Sequence, residues 1–484
     1  MSTAKRRRPL ARPPAPRVLS GTRSVLDSSE RFLGVRDWLG GSDSNADAAA
    51  ERRAEQLVVM NEGLLRDLGV TALPVRRAGQ PGLLVRTSSR VGAIPLLSPI
   101  SGRPDFGLIV EPRFTWSSTG DMLAGTGFRV VPDLLPLPEL PQSERHIPPW
   151  VLSSVILHRL KSLLDSLQRR FAVTTADLRA PKGQVDWNRY AAVRFAHGRP
   201  LEVPCSFPDL RDDEELRAAI HWVVRRHRQA LLGQTSGGLV VRHLLALCDS
   251  LLARLAGSPP RMPQARSRRT WANQPLSPRV FREGLQAIDW TVDERGLAGM
   301  SELAGLAWRM NMETFFEAWV EAIAEGVARK VGARLRAGRT EQTRVPLDWA
   351  PASSGSQRSL LPDLVVERED VVVVVDAKYK RHASEIERVG WGNASSELKE
   401  QHRNDVLQAL AYSTLFDAPR VVACLAYPVS PPDWEQLEMR QRTMARARVR
   451  SGARSVELAL VAVPLTGNPD AASAPIYDLV TKAA

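Results

Sequence analysis

Cysteine and lysine are both scarce in this chain. Its 484 residues include three cysteines, Cys205, Cys248 and Cys424, and no two of them form a CxxC pair. This spacing excludes a disulfide scaffold, an ordinary cysteine zinc site and a four-cysteine iron–sulfur cluster. A reducing, cytoplasmic location is therefore expected.

Long hydrophobic runs and nucleotide-binding motifs are also missing. No stretch approaches about 18 consecutive apolar residues, so neither a membrane-spanning helix nor a membrane partner is expected. The basic N-terminus has no apolar segment of the kind found in a secretory signal. The sequence contains no GxxxxGK[ST], GxSxG or HExxH motif. We therefore expect that this chain binds no nucleotide through a P-loop, and the scattered histidines predict no helical metal site.

Arginine supplies nearly all of the positive charge. Only eight of the 66 basic residues are lysines, and the formal net charge is +13. This balance predicts an anionic partner, with nucleic acid the first candidate, although a general arginine bias would give the same composition. Residues 434–450 are predicted to form an arginine-rich helix whose side chains either contact phosphates or face solvent.

The pattern along the chain predicts four segments. Residues 1–25 are expected to be a disordered basic tail, and residues 26–140 a β-rich N-terminal domain. Residues 141–299 have the apolar spacing of a mainly helical region followed by a linker. In residues 300–484, helices alternate with apolar strands, which is typical of an α/β sheet covered by helices on both faces.

The segment 361–380, LPDLVVEREDVVVVVDAKYK, contains the clearest functional pattern. Five consecutive valines predict a buried strand, which then turns polar at Asp376 and Lys378. Side chains alternate along a strand, so these two project from the same face. A hairpin turn near residue 369 would place Asp363 within about two positions of Asp376. Two carboxylates and one ammonium group would then lie at one edge of the sheet.

Clustered carboxylates in a low dielectric favour a cation between them, and hard oxygen ligands suit Mg²⁺ or Mn²⁺. Such an ion polarises a phosphoryl oxygen, and a neighbouring lysine stabilises the developing charge or orients a water molecule. The sequence therefore favours metal-dependent phosphodiester hydrolysis. The alternative is a sheet edge closed by a structural salt bridge.

A Pro-Asp pair, twelve intervening residues and Asp-x-Lys resemble the PD-(D/E)XK nuclease superfamily. This resemblance implies an α/β C-terminal nuclease domain, a mixed sheet flanked by helices, preceded by a mixed β/α N-terminal region. It also implies a further acidic ligand on an upstream helix, where Glu313 and Glu317 lie four residues apart; Glu317 is the candidate, and solvated glutamates are the alternative. Gln408 and Tyr412, on a helix predicted over residues 405–415, resemble the QxxxY helix of the RecB-like branch. Tyr412 could instead be a core aromatic residue.

The order of the segments MNMETFFEAWV, LLPDLVV, VVVVVDAKYK, DVLQALAYS and VVACLAYP resembles the McrC-type subunit of McrBC modified-cytosine restriction systems. This resemblance implies the endonuclease subunit of a restriction and anti-phage defence system that cleaves double-stranded DNA. It also implies an AAA+ GTPase or ATPase motor of the McrB type as partner, docked through the N-terminal region. By the same resemblance Asp363, Asp376 and Glu317 are metal ligands, Lys378 is catalytic, and Gln408 and Tyr412 are supporting residues.

Two other functions remain open from the sequence. One is a stand-alone repair or processing nuclease of the RecB-like branch. The other is a non-catalytic adaptor that activates an AAA+ partner, against which the intact Asp…Asp-x-Lys set argues.

Overall fold

The computed structural model describes residues 21–40, 46–135, 137, 149–167, 170–211, 213–234, 238–273, 278–294, 307–350, 356–380, 390–451 and 454–482. The chain divides into two compact units. Unit 1 contains Met1–Glu111, Leu135–Glu144 and Ala304–Arg309, and unit 2 contains the remaining residues. None of the described helices is long and apolar enough to span a membrane.

Unit 1 contains two small groups of strands and two helices. Its elements are β1 (Gly21–Leu26), β2 (Glu30–Gly34), α1 (Ala46–Met60), α2 (Glu62–Leu68), β3 (Val70–Arg77), β4 (Gln80–Thr87), β5 (Arg90–Leu96) and β6 (Phe106–Glu111). β4 pairs with β2 and β3 in antiparallel fashion, whereas β6 pairs with β1 in parallel and with β5 antiparallel. Trp38, Leu68 and Phe106 lie in its apolar core. The predicted disordered tail mostly lies outside the described residues, but residues 21–25 belong to β1.

The middle of unit 2 is mainly helical, as the sequence predicts. Its elements are α3 (Trp116–Gly125), β7 (Asp133–Leu134), α4 (Pro149–Ser166), β8 (Arg170–Leu178), β9 (Gln184–Val185), α5 (Trp187–Arg189), β10 (Val203–Arg211), α6 (Glu214–Leu232), α7 (Gly238–Arg254), α8 (Ala265–Ala272) and α9 (Arg279–Val292). β10 lies between β8 and β9 in a three-stranded sheet. Helix α3 packs against α7, so residues 112–134 belong to unit 2 rather than to the N-terminal segment predicted to extend to residue 140.

His227 joins three of these helices. It is fully buried on α6, and its ring nitrogens contact the hydroxyl groups of Ser153 on α4 at 3.2 Å and Thr291 on α9 at 3.1 Å. Burial, followed by the charge of Arg226, lowers the pKa of His227 to about 3. A neutral histidine with both nitrogens engaged has a structural role in the helical core.

The rest of unit 2 is built on a six-stranded mixed sheet. Strand β11 (Trp308–Asn311) has its first two residues in unit 1 and its last two in unit 2. The following elements of unit 2 are α10 (Met312–Val331), β12 (Arg334–Ala337), β13 (Val345–Pro346), β14 (Ser359–Leu360), β15 (Leu364–Arg368), β16 (Val371–Ala377), α11 (Ser396–Ser413), β17 (Arg420–Val429), α12 (Pro431–Met439), β18 (Met444–Ser451), β19 (Arg454–Pro464) and α13 (Ala474–Thr481). The strand order is β12-β15-β16-β17-β19-β18. β17 runs parallel to β16 and β19, and the other neighbours in this sheet are antiparallel.

Helices cover both faces of this sheet. Tyr412 of α11 packs against Val365, Val372 and Val374, so alternate residues of β16 face α11. Helices α10 and α13 contact β16 as well as each other. The mixed α/β architecture expected for the C-terminal region is therefore confirmed.

Two predicted helices have different limits. The arginine-rich helix predicted over residues 434–450 is wrong: α12 ends at Met439, and residues 444–451 form the edge strand β18. Alternation of Ala and Arg fits a strand that pairs with β19, because side chains there point to opposite faces in turn. Helix α11 begins at Ser396, well before residue 405, because the Ser395 hydroxyl accepts a hydrogen bond from the Leu398 amide at 3.2 Å.

Candidate active site

Asp363 and Asp376 lie opposite each other at the end of the β15–β16 hairpin. Leu364 pairs with Val375, and the ladder continues to Arg368 and Val371 at the turn. Asp363 directly precedes Leu364, so extending the register by one residue places it opposite Asp376. The structure thus brings the two acidic residues together as the sequence predicts.

Asp376 is a buried carboxylate with an unusual lack of donors. It is 1% exposed, and neither of its side-chain oxygens accepts a hydrogen bond from the described residues. The ammonium nitrogen of Lys378 lies 2.9 Å from its Oδ2 atom and forms an ion pair with it. Burying a carboxylate without donors is costly, so an arrangement of this kind is typical of a ligand site.

Asp363 is held by the backbone of the neighbouring strand. Its Oδ2 atom accepts a hydrogen bond from the amide of Ala377 at 2.8 Å. Burial, together with the negative charges of Asp376 and Glu317, raises the pKa of Asp363 well above its ordinary value. The cluster therefore carries more negative charge than the protein around it can neutralise, which favours binding of a cation.

Glu317, rather than Glu313, extends from α10 towards this cluster. Glu317 is half-buried, whereas Glu313 is exposed. Burial raises the pKa of Glu317 to about 7, with further contributions from Glu313 and Asp376 that the positive charge of Lys378 opposes. A solvated glutamate would show no such shift, so Glu317 is electrostatically part of the site.

Lys378 is oriented by the next helix. Its ammonium group donates a hydrogen bond to Oε1 of Gln408 at 3.0 Å, and Nε2 of Gln408 donates to the Tyr412 hydroxyl at 3.1 Å. Burial lowers the pKa of Lys378, but the charges of Asp376 and Asp363 outweigh it and the pKa is raised overall. The lysine is therefore a fixed cation next to the carboxylates. Tyr412 serves both as a core aromatic and as a partner of Gln408.

A turn on the other side of the hairpin supports Asp363. The amide of Gly338 donates to the Asp363 carbonyl at 2.7 Å, and the Thr343 hydroxyl donates to the Pro362 carbonyl at 2.5 Å. A Cβ atom on residue 338 would lie only 2.5 Å from the Pro362 oxygen. Glycine is required here by close approach of the two backbones. Nothing in the sequence pattern marked this residue.

Lys380 and Asp405 form a second ion pair that sequence reasoning missed. The ammonium group of Lys380 donates to Oδ1 of Asp405 at 2.7 Å, and Asp405 is nearly buried on α11. Two features of the sequence could have indicated this pair: Lys380 is two residues after Lys378, and Asp405 is three residues before Gln408. Asp405 and Gln408 share a face of α11, because residues three positions apart are neighbours on a helix.

The donor set fits a hard divalent cation. Among the described residues no three or more His, Cys, Asp or Glu side chains form a ready metal-binding group. Mg²⁺, however, commonly keeps several water ligands and is held by one or two carboxylates. The unsatisfied oxygens of Asp376, together with Asp363, provide such a pair.

Residues 296–428 match a family model described as a McrBC 5-methylcytosine restriction system component. This stretch of the chain is similar to that family. The matched region includes all the site residues predicted from the sequence, namely Glu317, Asp363, Asp376, Lys378, Gln408 and Tyr412. The family resemblance noted in the segment order is thereby confirmed.

Two solved structures are similar to the chain. One is a half-complex from a tetradecameric assembly of Thermococcus gammatolerans McrB AAA+ hexamers with bound McrC: 16% identity, TM-score 0.41, covering 95% of this chain and 99% of that chain. The other is a cryo-EM structure of the Thermococcus gammatolerans McrBC complex. Its identity is 13% and its TM-score 0.26, and the match covers 63% of this chain and 88% of that chain. TM-scores this low do not establish a shared fold. No curated protein matches the chain.

Proposed function

We propose that this chain is the endonuclease subunit of a modification-dependent, McrBC-like restriction system that defends against phage. Its substrate is double-stranded DNA, and its C-terminal region is a PD-(D/E)XK nuclease that needs Mg²⁺, with Mn²⁺ as a substitute. An AAA+ GTPase or ATPase of the McrB type activates the cleavage and is in turn stimulated by this chain. The observation that supports this function best is the buried carboxylate of Asp376, which lies opposite Asp363 and 2.9 Å from the ammonium nitrogen of Lys378.

The roles of the residues follow from their positions. Asp363 and Asp376 would hold the divalent ion, and Glu317, on α10, would add negative charge next to it and is the candidate for a further ligand. When bound, the ion polarises a phosphoryl oxygen and makes a water molecule more acidic. Lys378 places its ammonium charge where negative charge develops on the phosphoryl group. Gln408 holds that ammonium group in place, and Tyr412 orients the amide of Gln408.

The test is to purify the chain together with an AAA+ protein of the McrB type and to digest methylated and unmethylated plasmids with Mg²⁺ and nucleotide. We expect cleavage of modified DNA that excess chelator abolishes. Asp376→Ala should reduce cleavage by about 10²-fold or more, because it removes a ligand that nothing nearby replaces. Asp370→Ala, at the exposed turn of the same hairpin, is the matched control and should cleave normally.

Three other outcomes of this test would contradict the proposed function, and each points to a different alternative. Cleavage that persists in Asp376→Ala or in chelator rejects the assigned site. Cleavage without the AAA+ protein identifies a stand-alone nuclease. Stimulation of nucleotide hydrolysis without any DNA cleavage identifies an adaptor.

A further inference from the structure

The backbone that carries Lys378 leaves the sheet just before that residue. Strand β16 ends at Ala377, and the amide of Lys378 makes one more bond, to the Ala426 carbonyl at 2.9 Å. Residues 378–380 therefore lack the continuous ladder that fixes Asp376. The position of the Lys378 ammonium group must depend on side chains that anchor this short segment.

Tyr379 anchors one side of the segment. Its side chain is 4% exposed and lies near Phe316, with ring centroids 6.2 Å apart. Arg113 lies over the Tyr379 ring at 4.2 Å and donates a hydrogen bond to the Tyr379 carbonyl at 2.7 Å. Phe316 belongs to α10, so this contact is separate from the contacts that the segment makes with α11.

Lys380 anchors the segment to α11. Lys378 and Lys380 bind two residues of α11 that are three positions apart: Lys378 to Gln408 at 3.0 Å and Lys380 to Asp405 at 2.7 Å. The Asp405 side chain is 5% exposed and the Lys380 side chain 37% exposed, so water reaches the pair from the lysine side. The Tyr427 hydroxyl, on β17, lies 3.4 Å from the other Asp405 oxygen and 3.2 Å from Nδ1 of His402.

We propose that the Lys380–Asp405 ion pair is a latch that holds α11 against the end of the catalytic strand and thereby positions Lys378. Lys380 and Asp405 are positioning residues that act through Lys378 and Gln408. With the latch closed, the ammonium group of Lys378 stays between Asp376 and Gln408. With it open, residues 378–380 and the first turns of α11 separate, and the lysine loses its fixed place. The effect on catalysis rests on the proposed nuclease function, whereas the mechanical role does not.

Two variants test the latch in the full-length chain. Lys380→Met breaks the ion pair but leaves the Asp405 charge buried. The double variant Lys380→Met/Asp405→Leu removes both charges. It therefore lacks the ion pair without leaving an unpaired charge buried in the protein. The matched control is Lys482→Met, which breaks the exposed Lys482–Asp478 pair.

The first measurement is hydrogen exchange of the amides in residues 396–413. We expect exchange to be at least about tenfold faster in both latch variants than in the unmodified chain, because the helix opens locally more often. The control should match the unmodified chain. Unchanged exchange in the double variant overturns the latch, whether or not any nuclease activity is found.

The second measurement is the single-turnover cleavage rate of the reconstituted complex at saturating DNA. Displacement of a catalytic group by about 1 Å can cost about 10²-fold, so we expect a 10- to 100-fold loss in both variants. DNA affinity and stimulation of nucleotide hydrolysis should stay within about twofold, since neither depends on Lys378 placement. If the double variant cleaves at the full rate, the pair only neutralises Asp405 and the positioning role is rejected. If the unmodified complex does not cleave at all, the proposed function fails instead.

Discussion

The Oδ2 atom of Asp363 accepts a hydrogen bond from the backbone amide of Ala377, 2.8 Å away. This bond joins the residue that precedes β15 to the residue between Asp376 and Lys378. The strand pairing and the geometry of the site are therefore fixed together.

Asp363→Asn should raise the stability of the metal-free protein while removing its response to metal. The substitution removes a carboxyl group whose charged form is opposed by burial and by the charges of Asp376 and Glu317, and the asparagine oxygen can still accept from Ala377. We expect the free energy of unfolding to rise by about 1 kcal/mol. Added Mg²⁺ should raise the Tm of the unmodified chain but not that of the variant, because only a folded site binds the ion. Equal Mg²⁺ responses would contradict the assigned ligand.

Glu317 should make the metal-free protein less stable as the pH rises. Its folded pKa of about 7 lies above the ordinary value of 4.5, so the native state binds the proton more tightly than the unfolded chain does. The stabilisation is therefore present at pH 4.5 and is lost as the pH rises to about 7, by at most roughly 3 kcal/mol.

Urea denaturation in chelator across this pH range checks the Glu317 effect. Between pH 4.5 and about 7, the unfolding free energy of the unmodified chain should fall relative to that of Glu317→Gln. The exposed Glu435→Gln provides the control and should show a constant difference. A constant difference for Glu317→Gln as well would place this residue outside the cluster.

Gly338→Ala should disturb Asp363 through the backbone. The new Cβ atom would lie 2.5 Å from the Pro362 carbonyl, which must shift together with the residue after it. We expect a loss of about 1–3 kcal/mol in unfolding free energy and reduced cleavage. Gly326→Ala is the control, because the nearest atom to its Cβ is 3.6 Å away and alanine is favoured within a helix. Thermal unfolding measures the loss of stability of each variant relative to the unmodified chain. Equal losses would show that the backbone at residue 338 has room for a Cβ atom in solution.

The two roles of Tyr412 can be separated by the size of the substitution. Tyr412→Phe keeps the ring against Val365, Val372 and Val374 but removes the hydroxyl that Gln408 contacts. Its unfolding free energy should stay within about 1 kcal/mol while single-turnover cleavage slows. Tyr412→Ala should lose about 3–5 kcal/mol. A Phe variant with the full cleavage rate would assign Tyr412 to the core alone.

The hairpin could be predicted from the sequence because each of its parts is local. A run of valines, a charged turn and a two-residue alternation define which residues pair and which side chains share a face, and the register of Leu364 with Val375 follows. The same reasoning failed at residues 444–451, where alternating Ala and Arg has no strong apolar face. There the pairing with β19 decides between helix and strand.

The sequence by itself determined the juxtaposition of Asp363, Asp376 and Lys378, because two strands joined by one short turn must pair with each other in a hairpin. Only the tertiary structure decided which glutamate of α10 approaches them, that Gly338 touches the backbone of Pro362, and that Asp405 pairs with Lys380. These contacts join segments distant along the chain. Their geometry depends on how the helices pack on the sheet, which local pattern does not encode.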